Sequence, residues 1–434
     1  MTEKRVYNFS VGPSMLPVAV LEKAAKQMLN YENSGMSVME MSHRSSSYLD
    51  IFEKTKGLLK KVMNVPDNYK IVFIQGGATQ QFSMVPLNLL KNGKADYAIT
   101  GAFSKKAAAE AKKYGDIHIV YDGSSNDFKH IPTQDELDLS KDASYLHICA
   151  NNTIYGTEWK YVPETNGVPI IADMSSNILS KPVDVSKYGM IYAGAQKNMG
   201  IAGLGVAIIR EDLLQDVAKT TPVLLDYKLM IKNDSMYNTP PAYAIYVLGL
   251  VLEWIDSLGG LEVMKERNEK KAKLVYDYLD QSTFYKAHSD KENRSLMNVT
   301  FTTPNKDLDA KFVKESIEAG MTNLKGHRSV GGIRASIYNA MPYEGVEKLV
   351  AFMKEFEEQG GIAFIILHFT ALDELYYVPF RDLETFWKRM QDGGRKSFTY
   401  DEVDKSYQIR ASRDILVHYL ETIQKDLTER DSAQ

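Results

Sequence analysis

Cysteine is almost missing from this chain: Cys149 is the single one in 434 residues. That excludes an intrachain disulfide and a cysteine-rich metal site, and no metal site is expected. Cys149 lies in Tyr145-Leu-His-Ile-Cys-Ala150 and reads as a small core hydrophobe. A surplus of either charge is missing too. Lys and Arg number 52 against 56 Asp and Glu, for a net charge of −4 and an isoelectric point near 6.1. Such a balance gives no electrostatic reason to expect nucleic acid or an anionic membrane as a general partner. No apolar run approaches the roughly 20 residues a membrane helix requires. The start, Met1-Thr-Glu-Lys-Arg-Val-Tyr7, has no apolar signal core. A cytoplasmic protein is the expectation. Internal repeats and low-complexity segments are absent.

What remains is an ordinary globular composition, 44% hydrophobic and 25% charged, long enough for two or three domains. Helical patterns at 17–31, 48–63, 80–90, 104–114 and 242–258 alternate with short apolar strands. The strands fall at 70–74, 97–100, 117–121, 145–150, 169–172, 190–193 and 206–209. This alternation predicts an α/β fold on a mostly parallel, doubly wound sheet. Ligands then sit beyond the carboxyl ends of the strands. Gly76-Gly77, Gly101, the segment 151–153, Asp173 and Lys197 all fall there. Residues 261–357 have helix–strand–helix character, with strands at 297–301 and 332–337, and predict a smaller α+β domain. After Glu358 the texture changes to an apolar, aromatic-rich, mixed-charge sequence. The expected divisions are 1–260, 261–358 and 359–434.

Lys197 follows a β-type segment among small residues, and a Gly-rich chain leads on into the next strand. The strand before it ends on Asp173. Such a pair suits pyridoxal phosphate: the amine bonds the cofactor's aldehyde, and the carboxylate keeps the pyridine nitrogen protonated. A surface lysine in a Gly-rich turn is the other reading. Gln75-Gly-Gly-Ala-Thr-Gln80 follows a strand and opens a helix, the geometry of a phosphate cradle or of a plain turn. Phe103 offers a ring to stack on a pyridine, or a core side chain. Thr153 suits a cofactor oxygen or a turn cap. His43-Arg44, and His327-Arg328 with Arg334, are cation groups suited to phosphate and carboxylate, or exposed charges. Arg334 alternates with Ile333, Ala335 and Ile337, so it faces away from the apolar side of its strand.

Nine stretches occur in order: Asn8-Phe-Ser-Val-Gly-Pro13, Met41-Ser-His-Arg44, Gly76-Gly-Ala-Thr-Gln-Gln-Phe82, Thr100-Gly-Ala-Phe-Ser-Lys-Lys-Ala107, Asn152-Thr-Ile154, Ala172-Asp-Met-Ser-Ser-Asn177, Gly194-Ala-Gln-Lys-Asn198, Tyr237-Asn-Thr-Pro-Pro241 and Gly326-His-Arg-Ser-Val-Gly-Gly-Ile-Arg334. Together they closely resemble the phosphoserine aminotransferases, fold-type I pyridoxal-phosphate enzymes, over about residues 4–358. The resemblance implies that Lys197 carries the cofactor and moves the substrate proton, with Asp173 on the pyridine nitrogen. Ala78, Thr79 and Gln196 would contact the cofactor phosphate region, and Thr153 its oxygen side. Asn238 and Thr239 would reach the cofactor phosphate of a neighbouring subunit, which requires a homodimer with shared sites. His43, Arg44, His327 and Arg328 would hold the substrate phosphate or distal carboxylate, and Arg334 the α-carboxylate. The departure is Phe103, where the family usually places Trp. The implied reaction exchanges an amino group between L-glutamate and 3-phosphohydroxypyruvate, in ping-pong half-reactions, giving O-phospho-L-serine and 2-oxoglutarate. Use of 4-phosphohydroxy-L-threonine, toward pyridoxine, is left open. The runner-up is a relative of the alanine–glyoxylate aminotransferases, but the two His-Arg clusters would then have no anion to bind.

The last residues differ. Gln359-Gly-Gly-Ile-Ala-Phe-Ile-Ile-Leu-His-Phe369, Tyr376-Tyr-Val-Pro-Phe380, Phe386-Trp387 and Gly393-Gly-Arg-Lys-Ser397 resemble the C-terminal part of RecU-type Holliday-junction resolvases. In that family the catalytic carboxylates and lysine lie upstream of the matched segment, so the resemblance implies an appended fragment without nuclease activity. A nucleic-acid-binding role would rest on this tail alone, and the tail holds more acidic than basic residues. A fusion of two reading frames best accounts for a junction without a Pro/Ser linker. The apolar run at 362–369 needs cover on both faces.

Overall fold

Alternate residues of one central sheet part into two apolar layers. The computed structural model describes residues 5–360 and four strands beyond them. First come β1 (Tyr7–Asn8), α1 (Val18–Lys26), α2 (Ser46–Val62), β2 (Tyr69–Gln75), α3 (Ala78–Leu89), β3 (Lys94–Ile99), α4 (Ala102–Ala111) and β4 (Asp116–Asp122). Next are β5 (Leu146–Cys149), β6 (Asn151–Asn152), β7 (Thr157–Glu158), β8 (Ile170–Asp173), β9 (Met190–Gly194), β10 (Leu204–Arg210), α5 (Tyr227–Lys232) and α6 (Ala242–Ser257). Then follow α7 (Gly260–Gln281), β11 (Lys286–Ala287), β12 (Asn298–Thr302), α8 (Lys306–Glu318), β13 (Met321–Thr322), β14 (Ile333–Ser336) and α9 (Tyr343–Gly360).

Seven strands form the main sheet in the order β2-β10-β9-β8-β5-β3-β4. β10 runs antiparallel to both neighbours, and the pairs β9–β8, β8–β5, β5–β3 and β3–β4 are parallel. These are the seven strands expected from the sequence, so the doubly wound, mostly parallel reading holds. Period-2 alternation explains the double cover. Phe73, Val206, Ile208 and Ile191 enter one core layer with α2 and α6, while Val72, Ile74, Ala207 and Ile209 enter the other with α3 and α4. The helix expected over 17–31 stops at Lys26: the chain enters a 3-10 turn at Tyr31–Asn33, where Glu32 and Asn33 take φ of 45° and 64°.

The later residues add a three-stranded antiparallel sheet, β11-β12-β14. The N-terminal arm returns to this region, because β1 pairs in parallel with β13, Tyr7 opposite Met321. Among the described residues no single helix is long and apolar enough to cross a membrane, and no cluster of His, Cys, Asp and Glu is arranged to hold a metal ion.

The chain divides into two compact units, 1–354 and 355–434. The second contains two antiparallel hairpins, β15 (Phe364–Phe369) with β16 (Glu374–Pro379), and β17 (Ser397–Asp401) with β18 (Ser406–Arg410). The division falls inside α9, ahead of the 358 boundary expected from composition. The cover of the apolar run at 362–369, together with Phe386-Trp387 and Gly393-Gly394, lies outside the described residues.

Candidate active site

β8, between two parallel neighbours, ends on Asp173. This residue is 5% exposed. Its Oδ1 accepts from the Ser175 backbone N–H at 2.9 Å and from the Ser175 hydroxyl at 2.6 Å. Ser175 Oγ in turn accepts from the Gly194 N–H at 3.1 Å, tying the end of β8 to the end of β9. Burial pushes the Asp173 carboxyl up, against the Ser175 bonds and the charge of Lys197.

Lys197 lies in the turn between β9 and β10. Its Nζ donates to Thr153 Oγ1 at 2.8 Å and stands 5.7 Å from the centre of the Phe103 ring. Burial pushes the amine down to about 8; Asp173 opposes that shift and Arg334 adds to it. A sizeable neutral fraction near physiological pH is what a nucleophilic amine requires. The N-terminal arm closes on the same turn. Ser14 Oγ donates to the Lys197 carbonyl at 2.5 Å, and the Ser14 N–H donates to Gln196 O at 2.9 Å.

One cavity of about 290 Å³ joins these groups. Ala78, Thr79, Phe103, Thr153, Asp173, Gln196, Lys197, His327 and Arg334 all line it. Gly76 takes φ +110°, a left-handed turn that only glycine adopts freely, and so swings the chain from β2 into α3. α3 has no side-chain cap and no acid in its first turn, leaving the amides of Ala78 and Thr79 to an anion. Across the cavity, Ile333 and Ala335 are fully buried while Arg334 between them faces the opening. Arg334 is in no ion pair among the described residues, and burial lowers its pKa. His327 Nδ1 lies 2.7 Å from Ser329 Oγ. Burial and the charges of Arg334, Arg328 and Lys106 lower its pKa.

The remaining expected residues stand elsewhere on this chain. His43 and Arg44 occupy the turn before α2, where Ser45 caps the helix and α2 packs into the core layer of α6. Neither lines the cavity of this chain. Arg328 is exposed and does not line the cavity, although its neighbour does. Asn238 lines a separate cavity of about 540 Å³ with Gly76, Gln80 and Pro240. The Thr239 carbonyl accepts from Gln75 Nε2. Sequence reasoning assigned no role to Ser175, Ser14 or Lys106. The Asp-x-Ser spacing of an Asx turn would have pointed to Ser175.

Comparison with known proteins agrees with this geometry. Residues 6–349 match the family model described as Aminotransferase class-V, and residues 343–425 match that of Recombination protein U. The second match begins with the first residue of α9, earlier than the 359 expected from the sequence. The phosphoserine aminotransferase of Bacillus cereus is 51% identical over 355 residues, covering 82% of this chain and 99% of the relative. A solved phosphoserine aminotransferase from Bacillus circulans subsp. alkalophilus superimposes with a TM-score of 0.81 at 47% identity, over 82% of this chain and 99% of that one. The PLP-bound phosphoserine aminotransferase of Trichomonas vaginalis does so with a TM-score of 0.78 at 42% identity, over 81% and 100%. The chain belongs to the phosphoserine aminotransferase family, within the class-V aminotransferases.

Proposed function

We propose that this protein exchanges an amino group between L-glutamate and 3-phosphohydroxypyruvate, giving O-phospho-L-serine and 2-oxoglutarate. The observation that carries the reading is one cavity holding the Asp173–Lys197 pair opposite Arg334, a buried cation with no acid partner among the described residues. The donor set fits pyridoxal phosphate: a buried carboxylate with one oxygen already bonded, an amine of lowered pKa, a ring face and an uncapped helix end. When bound, that cofactor supplies an aldehyde carbon for amines and a ring that withdraws electrons.

In this reading Asp173 holds a proton on the pyridine nitrogen, and Ser175 fixes the carboxylate's direction. Ala78, Thr79 and Gln196 take the cofactor phosphate, Thr153 and Phe103 flank the ring, and Arg334 grips the α-carboxylate. Lys197 would hold the cofactor's aldehyde carbon and move the proton at the substrate Cα, with Thr153 directing its nitrogen. His327 meets the distal anion. His43, Arg44, Asn238 and Thr239 stand outside their own cavity, so the proposal includes a homodimer in which a second copy lends them; Arg328, exposed on this chain, joins the distal group in that dimer.

The division of the first unit near Gly259-Gly260, a cytoplasmic location and use of 4-phosphohydroxy-L-threonine, which carries the same pair of anions, belong to the proposal as well. So does a tail at 359–434 without nuclease activity. Steady-state assays decide the central point. Phosphoserine with 2-oxoglutarate should exceed alanine with glyoxylate by at least about a hundredfold in kcat/KM, because only the first pair fills both anion sites. Equal rates would overturn the reading. Limited proteolysis addresses the tail: its rapid removal with transamination retained is the expected result, and protection would argue for a packed domain.

A further inference from the structure

The cavity wall is unevenly charged. Lys106, Lys197, His327 and Arg334 line it, against one carboxylate, Asp173. Three of the four cationic or basic groups are committed. Lys197 bonds Thr153 and faces the cofactor in the proposed reading; Arg334 takes the α-carboxylate there. His327 bonds Ser329 through Nδ1 and is held toward its neutral form, so it brings the distal anion a hydrogen bond and not a charge. The cations expected at the distal anion, Arg44 and Arg328, do not line the cavity of this chain and would come to it only in the proposed homodimer, so the charge this chain's own wall offers there has to come from another group. Lys106 is left. It follows Phe103 by three residues on α4, so both side chains share the face toward the opening. Its Nζ stands 5.6 Å from the centre of the Phe103 ring, and it joins no ion pair among the described residues. Lys105 and Lys106 are both exposed, but Lys105 does not line the cavity.

We propose that Lys106 binds the distal anion of the substrate, the phosphate of the phosphorylated acid or the side-chain carboxylate of glutamate. The inference rests on the reaction proposed above and adds a residue to it. α4 presents the Phe103 ring to the cofactor and, one turn on, an ammonium to the far end of the substrate. A flexible lysine meets both a phosphate and a carboxylate as a point charge, which one site serving two substrates demands.

The test compares full-length Lys106→Met, Lys106→Arg and Lys105→Met holoenzymes with the wild type. Steady-state rates with O-phospho-L-serine are measured, together with absorbance titrations by O-phospho-L-serine and by L-alanine. For Lys106→Met the KM for phosphoserine should rise about tenfold and kcat fall by less than about threefold, the loss of one charge-assisted contact. Alanine, which has no distal anion, should titrate as in the wild type. Lys106→Arg should recover most of the affinity, and Lys105→Met should track the wild type. A KM for phosphoserine within about twofold of the wild type, or an equal loss toward alanine, would overturn the assignment. A wild type that does not turn over phosphoserine would instead overturn the reaction itself.

Discussion

Two lysines of lowered pKa, a half-buried one at the sheet's carboxyl end and a buried one at the junction of α7 with the chain after β14, have similar titration and different surroundings. Lys271 is pushed down to about 7 by burial and the charge of Arg267, further than Lys197 at about 8. Yet three backbone carbonyls surround its nitrogen: Ile337 at 3.0 Å, Tyr338 at 2.7 Å and Met341 at 3.1 Å. Lys197 has one hydroxyl partner, a nearby carboxylate and an open cavity. A lowered pKa therefore does not mark a catalytic amine; access and an electronic partner do. Lys271 clamps the segment that carries Asn339, whose N–H donates to Asn198 Oδ1 at 3.0 Å, next to Lys197.

Exchanging side chains breaks this comparison most sharply at Lys197. Lys197→Ala should abolish multiple turnover while leaving the fold intact by circular dichroism. Next in size, Arg334→Ala should raise the KM for amino-acid substrates about a hundredfold, the loss of a bidentate buried contact, read by steady-state kinetics. Arg44→Ala should weaken phosphorylated-substrate use far more than cofactor retention, read by KM and by cofactor content; equal losses would count against a substrate role. Lys271→Met should cost about 1–3 kcal/mol in urea unfolding, because its carbonyls lose a donor, with turnover per folded molecule changed only a few-fold.

The smallest effect is in pH dependence. The folded pKa of Lys271 is depressed from 10.5 to about 7. Between those values the unfolded chain binds more protons, so this group makes stability rise with pH across that window. Lys271→Met should flatten that part of the stability profile relative to the wild type. An identical slope in both proteins would contradict the shift.

Strand-end chemistry was legible in the sequence because a parallel sheet sends its carboxyl ends to one place. Asp173 and Lys197 could therefore be expected at one place without any knowledge of contacts, and both line the one cavity. Gly76-Gly77 was legible for a similar reason: a turn with φ +110° leads straight into an uncapped helix. Other roles depend on contacts distant in sequence. Ser14 bonds the Lys197 carbonyl from 183 residues away in the sequence, and no local pattern marks that contact. Lys106 looks like one of two neighbouring surface lysines until the start of α4 fixes its face with Phe103. His43 and Arg44 show the opposite case. Their residue types suit an anion, but neither lines the cavity, and types alone say nothing about which chain they serve.

The most direct test is chemical. Native protein loaded with pyridoxal phosphate is reduced with borohydride, digested and mapped by mass spectrometry. Labelling confined to Lys197, with Lys271 unmodified, is the expected result. A label on Lys271, or none on Lys197, would contradict the account.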